Sequence, residues 1–141
     1  MITKVFLDTN VLVDYAVSNR PGHEEVTKML KHLVEHLVVL VISPASLFTL
    51  TYLLEKSKWP HHQVKSWLAS FSQLVELAHT THEDILNAAK SSISDIEDAL
   101  MLMTAISANC DLFITQNLSD FPNSMEGLIV QSPIEVLKEI K

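Results

Sequence analysis

Short apolar runs alternate with helical stripes along this chain. The runs predict buried strands at 3–7, 37–42, 75–78, 112–114 and 128–130. Helical spacing begins at Val11, Leu12 and Tyr15, and it recurs over 24–36, 46–56, 61–74, 83–91, 96–108 and 133–140. Strands that alternate with helices indicate a parallel sheet covered on both faces. We therefore expect an α/β fold, a three-layer sandwich with a central, mostly parallel sheet of about four or five short strands, formed by one domain over residues 1–141.

The apolar stripes of two helices predict which faces are buried. The stripe of helix 24–36 joins Val26, Met29, Leu30, Leu33 and Leu37. That of helix 96–108 joins Ile96, Ala99, Leu100, Met103, Ile106 and Ser107. On the first helix, Asp14 lies one turn beyond Asn10, and we expect it to be a solvated residue.

Composition and charge exclude several classes of protein. A net charge of -7 argues against a general nucleic-acid binder with a basic face, but it allows an enzyme that meets nucleic acid through bound cations. The two glycines, Gly22 and Gly127, are too far apart for a dinucleotide fingerprint or a P-loop. The single cysteine excludes an intrachain disulfide. We find no signal peptide and no apolar stretch near the ~20 residues that span a bilayer, and we expect a cytoplasmic protein with no membrane association.

Aspartates follow two of the predicted strands and begin the most apolar helix. Asp8 comes directly after the run 3–7, and Asp120 lies a few residues after the run 112–114. Asp95 and Asp98 lie three residues apart, so their carboxylates would share one face of a helix. Ligands of parallel sheets gather beyond the carboxyl ends of the strands. We therefore expect Asp8, Asp98 and Asp120 to converge at that end, with Asp95 at the rim.

Two interpretations of these carboxylates stay open. Each aspartate alone is typical of a turn or a helix cap, and Asp95 is placed to accept a hydrogen bond from the amide of Asp98. Carboxylates brought together, however, repel one another unless a cation joins them. Oxygen ligands without a partnering cysteine suit Mg²⁺ or Mn²⁺. Such an ion can activate water and stabilise charge on a phosphoryl group.

The segments around these aspartates resemble the motifs of the PIN-domain family, in the family's order. They are Asp8-Thr9-Asn10-Val11-Leu12, Asp95-x-x-Asp98-Ala99-Leu100 and Ile114-Thr115-x-Asn117-x-x-Asp120-Phe121. By this resemblance, Asp8, Asp98 and Asp120 are the catalytic and metal-binding aspartates, and Asp95 is an additional acidic position. The supporting polar positions of the pocket are Thr9, Asn10, Thr115 and Asn117.

The resemblance also implies an activity and partners. Its chemistry is hydrolysis of RNA phosphodiester bonds with Mg²⁺ or Mn²⁺ as cofactor. Many small members resemble the toxin of a toxin–antitoxin pair, which implies an antitoxin protein as partner, and members often form homodimers.

Two positions depart from the family's pattern. The lead-in Ile42-Ser43-Pro44 places Thr49 where the family usually has a glutamate, and Gln116 occupies the place of an arginine. Helical spacing puts Thr49 on one side with Ala45 and Tyr52, while Leu47, Leu50 and Leu54 can pack on the sheet, so we expect Thr49 to support the pocket. The alternative is an interior threonine whose hydroxyl bonds to its own helix.

Three functional hypotheses follow. The first is a metal-dependent endoribonuclease, which we favour because loss of one carboxylate from four or five usually weakens metal binding without abolishing it. The second is a weakly active or inactive PIN-fold module that binds RNA or protein. The third is a metal-dependent phosphohydrolase with a substrate other than RNA.

Overall fold

A computed structural model describes residues 2–140, and its centre is a six-stranded sheet. The strands are β1 (Lys4–Leu7), β2 (Val39–Ile42), β3 (Val75–Leu77), β4 (Leu112–Ile114), β5 (Ser124–Met125) and β6 (Leu128–Gln131). They lie in the order β3-β2-β1-β4-β6-β5, and only β5 is antiparallel to its neighbour. The predicted α/β class and mostly parallel sheet are confirmed. The predicted strand number was too low because β5 has two residues and no apolar run.

Seven α-helices and one 3₁₀ helix lie among the described residues. They are α1 (Thr9–Ala16), α2 (His23–Glu35), α3 (Pro44–Lys56), α4 (His61–Ser72), α5 (His82–Lys90), α6 (Ile96–Ser107) and α7 (Pro133–Glu139), with the 3₁₀ helix at Leu118–Asp120. Side-chain caps set several of their starts. Ser43 caps α3, and Thr81 and Ser132 form capping boxes at α5 and α7. Within residues 2–140, no helix combines the length and apolarity needed to cross a bilayer.

Alternate residues of the central strands pack into different layers. Phe6 and Phe113 stack with ring centroids 5.4 Å apart on the side where α6 lies. Val5, Leu40 and Leu112 face the other side, in the core formed with α1, α2 and α3. Burying each of these side chains contributes about 1.5–3 kcal/mol, and together they cover both faces of the sheet. A polar site is therefore restricted to an end of the sheet.

Two details of the predicted helix faces were wrong. Leu37 is 88 % exposed and has a φ of 59°, because α2 ends at Glu35 and the chain turns there through the left-handed region. On α6, Ile96 is 62 % exposed, whereas Leu102 and Ala105 are fully buried. The reason is that α6 packs on the sheet through Leu102 and on α5 near Ala99, so its buried surface is wider than one stripe.

Candidate functional site

Asp8 lies at the carboxyl end of β1 and is 6 % exposed. It is the N-cap of α1: its Oδ1 accepts a hydrogen bond from the Thr9 amide at 2.8 Å. Its Oδ2 accepts one from the Thr115 hydroxyl, also at 2.8 Å. Burial raises the pKa of Asp8, and the hydrogen bonds from Thr115 and Thr9 oppose that rise, while the negative charges of Glu97 and Asp120 add to it. Asp8 is therefore a buried carboxylate held in one orientation by two neighbouring strand ends.

Hydroxyl groups connect Asp8 to its surroundings. Thr115 follows β4, and its Oγ1 donates to Asp8 while accepting from the Asn117 amide at 3.1 Å. Thr9 places its Oγ1 2.7 Å from the Oγ of Ser46, a buried residue of α3. Sequence analysis missed Ser46. Its place one turn before the buried Leu50, on the same helix face, was the signal that could have identified it.

The start of α6 contributes a group of carboxylates. Asp95 is the N-cap, and its Oδ1 accepts from the Asp98 amide at 3.0 Å, which confirms the capping interpretation. Asp98 is half-buried, and burial raises its pKa to about 6, with further contributions from Asp95, Asp8, Asp120 and Glu97. Glu97 was missed by sequence analysis, although it adjoins Asp98 and acts on both Asp98 and Asp8.

The last predicted aspartate lies in the segment after β4. Asp120 ends the 3₁₀ helix and is exposed. It shares with Asp95 the lining of a pocket of about 440 Å³. Asn10 and Asn117, also exposed, line a second pocket of about 450 Å³. The loop after β4 thus contributes to both pockets.

The chemistry of these carboxylates suits a divalent cation, but their arrangement does not yet form a binding site. Burial is the main cause of the raised pKa of Asp98, and the charged groups that add to it are all carboxylates, so a cation would offset their repulsion. All the donors are hard oxygens, which suit Mg²⁺ or Mn²⁺. Within residues 2–140, however, no group of three or more His, Cys, Asp or Glu side chains is arranged to hold a metal ion. The charges of Asp8 and Asp120 act on Asp98, but these side chains as positioned do not form a chelating group.

Thr49 lies on the solvent side of α3. Its side chain is exposed, while Leu50 and Leu54 of the same helix are fully buried. The alternative of an interior threonine was therefore wrong. That Thr49 supports the carboxylates stays a prediction.

Asp14 was expected to be solvated, and this was wrong. Its side chain is 7 % exposed, and its Oδ1 lies 3.0 Å from the Arg20 Nε. Its Oδ2 accepts a hydrogen bond from the Gln116 Nε2 at 2.9 Å. The helix position alone could not show this burial, because both partners come from loops that pack against α1.

The chain belongs to the PIN domain family, whose sequence profile matches residues 4–119. The resemblance seen in the motifs is thereby confirmed. No curated protein matches the chain.

Solved structures of toxin–antitoxin proteins share the fold. VapBC2 from Rickettsia felis, bound to a DNA fragment from its promoter, is 22 % identical with a TM-score of 0.67, covering 92 % of this chain and 98 % of that one. A toxin–antitoxin complex from Klebsiella pneumoniae is 22 % identical with a TM-score of 0.64, covering 89 % and 95 %. VapC20 from Mycobacterium tuberculosis, a sarcin–ricin loop cleaving toxin, is 16 % identical with a TM-score of 0.58, covering 77 % and 86 %. At these identities the similarity establishes a common fold.

Proposed function

We propose that this protein is a Mg²⁺- or Mn²⁺-dependent endoribonuclease that hydrolyses RNA phosphodiester bonds. The observation that carries the proposal is that Asp8 and Asp120, which lie after two different strands, both add to the rise in the pKa of Asp98 at the start of α6. Membership of the PIN domain family and the fold shared with an RNA-cleaving toxin support the choice of substrate.

The proposed metal ligands are the carboxylates of Asp8, Asp98 and Asp120. When bound, the ion would supply a water of lowered pKa and stabilise negative charge on the phosphoryl group. Thr115 and the Thr9 amide keep both oxygens of Asp8 oriented. Thr9 is itself positioned through Ser46.

The surrounding residues position the aspartates or contact the substrate. Asp95 fixes the first turn of α6 and so places the backbone of Asp98. The amides of Asn10 and Asn117 are exposed at the adjoining pocket, where they can donate to phosphate or sugar oxygens. Thr49 lies exposed on α3 and, if it faces the carboxylates, supports bound water without adding charge.

One test is cleavage of a fluorescently labelled RNA by purified protein with Mn²⁺, Mg²⁺ or EDTA. We expect cleavage by the wild type with either metal, none in EDTA, and a loss of at least about a hundredfold in Asp98→Asn. Glu83→Gln is the matched control because Glu83 is an exposed carboxylate in the first turn of α5. Equal cleavage by Asp98→Asn and Glu83→Gln would contradict the proposal.

A second candidate is a PIN-fold module that binds RNA or protein without cleaving it. The absence of a preformed chelating group within the described residues favours this alternative. The same assay separates the two, since RNA binding without cleavage in Mn²⁺ would establish the module.

The proposed partner is an antitoxin, because two solved structures of this fold contain toxin–antitoxin assemblies. Co-expression with any small DNA-binding protein found in a neighbouring reading frame should yield a complex in which cleavage is suppressed. Light scattering of the free chain, of 15.8 kDa, should give twice that mass if the proposed homodimer forms. A monomeric mass would contradict the proposed homodimer but not the antitoxin partner.

A further inference from the structure

A half-buried ion pair lies between α1 and the loop that follows it, on the α1–α2 side of the sheet. Arg20, in the loop between these helices, donates from its Nε to the Asp14 Oδ1 at 3.0 Å. Asp14 is almost fully buried, whereas the Arg20 side chain is 44 % exposed. Gln116, from the loop after β4, donates to the other oxygen of Asp14. The buried Asp14 carboxylate therefore accepts hydrogen bonds from two loops, the one between α1 and α2 and the one after β4.

The loop that carries Arg20 packs closely over this carboxylate. A Cβ added at Gly22 would clash with the Asp14 Oδ2 and lie 2.9 Å from the Gln116 Nε2, so a larger residue there would displace both groups. The His23 Nδ1 lies 2.9 Å from the backbone oxygen of Asp14. These contacts hold the loop against α1, and the position of the guanidinium is set before any ligand binds.

Arg20 lines the second pocket, of about 450 Å³. Asn10 and Asn117 line the same pocket, and they belong to the segments that hold Asp8 and Asp120. Two carboxylates, Asp14 and Glu25, line the pocket alongside the one positive charge of Arg20, and Asp14 is buried and paired with that charge. The exposed hydrogen-bond donors at the pocket are Arg20 and the side-chain amides of Asn10 and Asn117. Such donors match the oxygens of a phosphodiester.

We propose that Arg20 is a substrate-binding residue that contacts a backbone phosphate of RNA beside the scissile bond, with Asp14 and Gln116 as its positioning residues. This inference rests on the proposed ribonuclease function. A chain of net charge -7 needs local cations to hold a polyanion, and an arginine held through Nε can still present its other N–H groups to a phosphate.

The test measures binding of a labelled single-stranded RNA oligonucleotide to Asp98→Asn protein by fluorescence anisotropy, over a series of salt concentrations. Adding Arg20→Gln should weaken the Kd about tenfold and lower the slope of log Kd against log salt by about 0.7, the value for one phosphate contact on a single strand. The Kd of the protein with Arg20→Lys should lie between that of the Asp98→Asn parent and that of the protein with Arg20→Gln. Gly22→Ala should resemble Arg20→Gln, because it displaces Asp14.

The matched control is Lys138→Gln, which removes a positive charge near the C-terminal end of α7. The C-terminal end of α7 adjoins Ile2 and Val38, which precede β1 and β2. Lys138 therefore lies toward the amino ends of the strands, away from Asp8. It should leave the Kd within about twofold. Equal affinities and salt slopes for Arg20→Gln and Lys138→Gln would overturn the proposal, as would a lack of RNA binding by the Asp98→Asn parent.

A purely structural ion pair makes a different prediction. In that case Arg20→Gln and Asp14→Asn would lower the Tm together without changing the salt slope, which would overturn the binding role. The proposed function fails separately, through absence of RNA cleavage by the wild type. In a cleaving wild-type background, Arg20→Gln should raise KM more than it lowers kcat.

Discussion

Replacing Asp98 with asparagine should stabilise the metal-free protein at neutral pH. Burial and four neighbouring carboxylates raise the pKa of Asp98 from 3.8 to about 6. Each tenfold change in the ionisation constant is worth about 1.4 kcal/mol, so the upper limit of the effect is about 3 kcal/mol. Asp98 is only half-buried, and solvent screening reduces this to about 1–2 kcal/mol. Loss of a favourable first-turn charge on α6 subtracts about 0.5 kcal/mol.

The direction of the pH dependence of stability follows from proton binding to Asp98. The folded state holds the Asp98 proton more tightly than the unfolded state, so the wild type loses stability as the pH rises from about 4 through about 6. Asp98→Asn has no such titration. Its advantage should be absent below about pH 4 and fully developed above about pH 7.

Urea unfolding in EDTA at several pH values between 4 and 8 measures this difference. Asp98→Asn should gain about 1 kcal/mol over the wild type at pH 7.5, equivalent to a Tm increase of about 2–4 °C. Glu83→Gln, which removes a first-turn carboxylate from α5 instead, should give no gain. If Asp98→Asn were no more stable than Glu83→Gln at pH 7.5, the carboxylates would not be close enough to repel one another.

Four further results are expected. Thr115→Val should lower the free energy of unfolding measured in urea by about 1–3 kcal/mol, because it leaves the buried Asp8 Oδ2 without its hydroxyl donor; an unchanged value would refute the role of this bond. Mn²⁺ should raise the Tm of the wild type by differential scanning fluorimetry and raise that of Asp98→Asn much less, whereas equal shifts would place the ion elsewhere. Thr49→Glu should fold normally, since the side chain is exposed, and should tighten Mn²⁺ binding by calorimetry if it faces the carboxylates. Leu37→Gly should raise the free energy of unfolding by about 0.5–1 kcal/mol, because Leu37 is exposed at a φ of 59°, and a decrease would show that the Leu37 side chain contributes packing.

The architecture was predictable where one local pattern decided it. The runs around Phe6, Val41 and Phe113 are apolar on both faces of the sheet, as strands between two helical layers must be. Leu37 continued the apolar stripe of α2, and only the end of the helix at Glu35 shows that it lies outside the core. β5 is stabilised by pairing with β6 and has no pattern of its own.

The positions of candidate-site residues were predictable where a residue follows a strand or begins a helix. Asp8 and Asp95 are both caps, and their positions could be inferred from neighbouring residues. Ser46 and the Asp14 ion pair depend on contacts between distant segments. The Asp14–Gln116 hydrogen bond spans 102 positions, and no local spacing encodes such a contact.

A crystal structure with Mn²⁺ and an anomalous difference map would test the central claim most directly. The account predicts a peak roughly 2.0–2.3 Å from carboxylate oxygens of Asp8, Asp98 and Asp120, with Thr115 still bonded to Asp8. A peak on other surface carboxylates, or an ordered site with no peak at millimolar Mn²⁺, would contradict it.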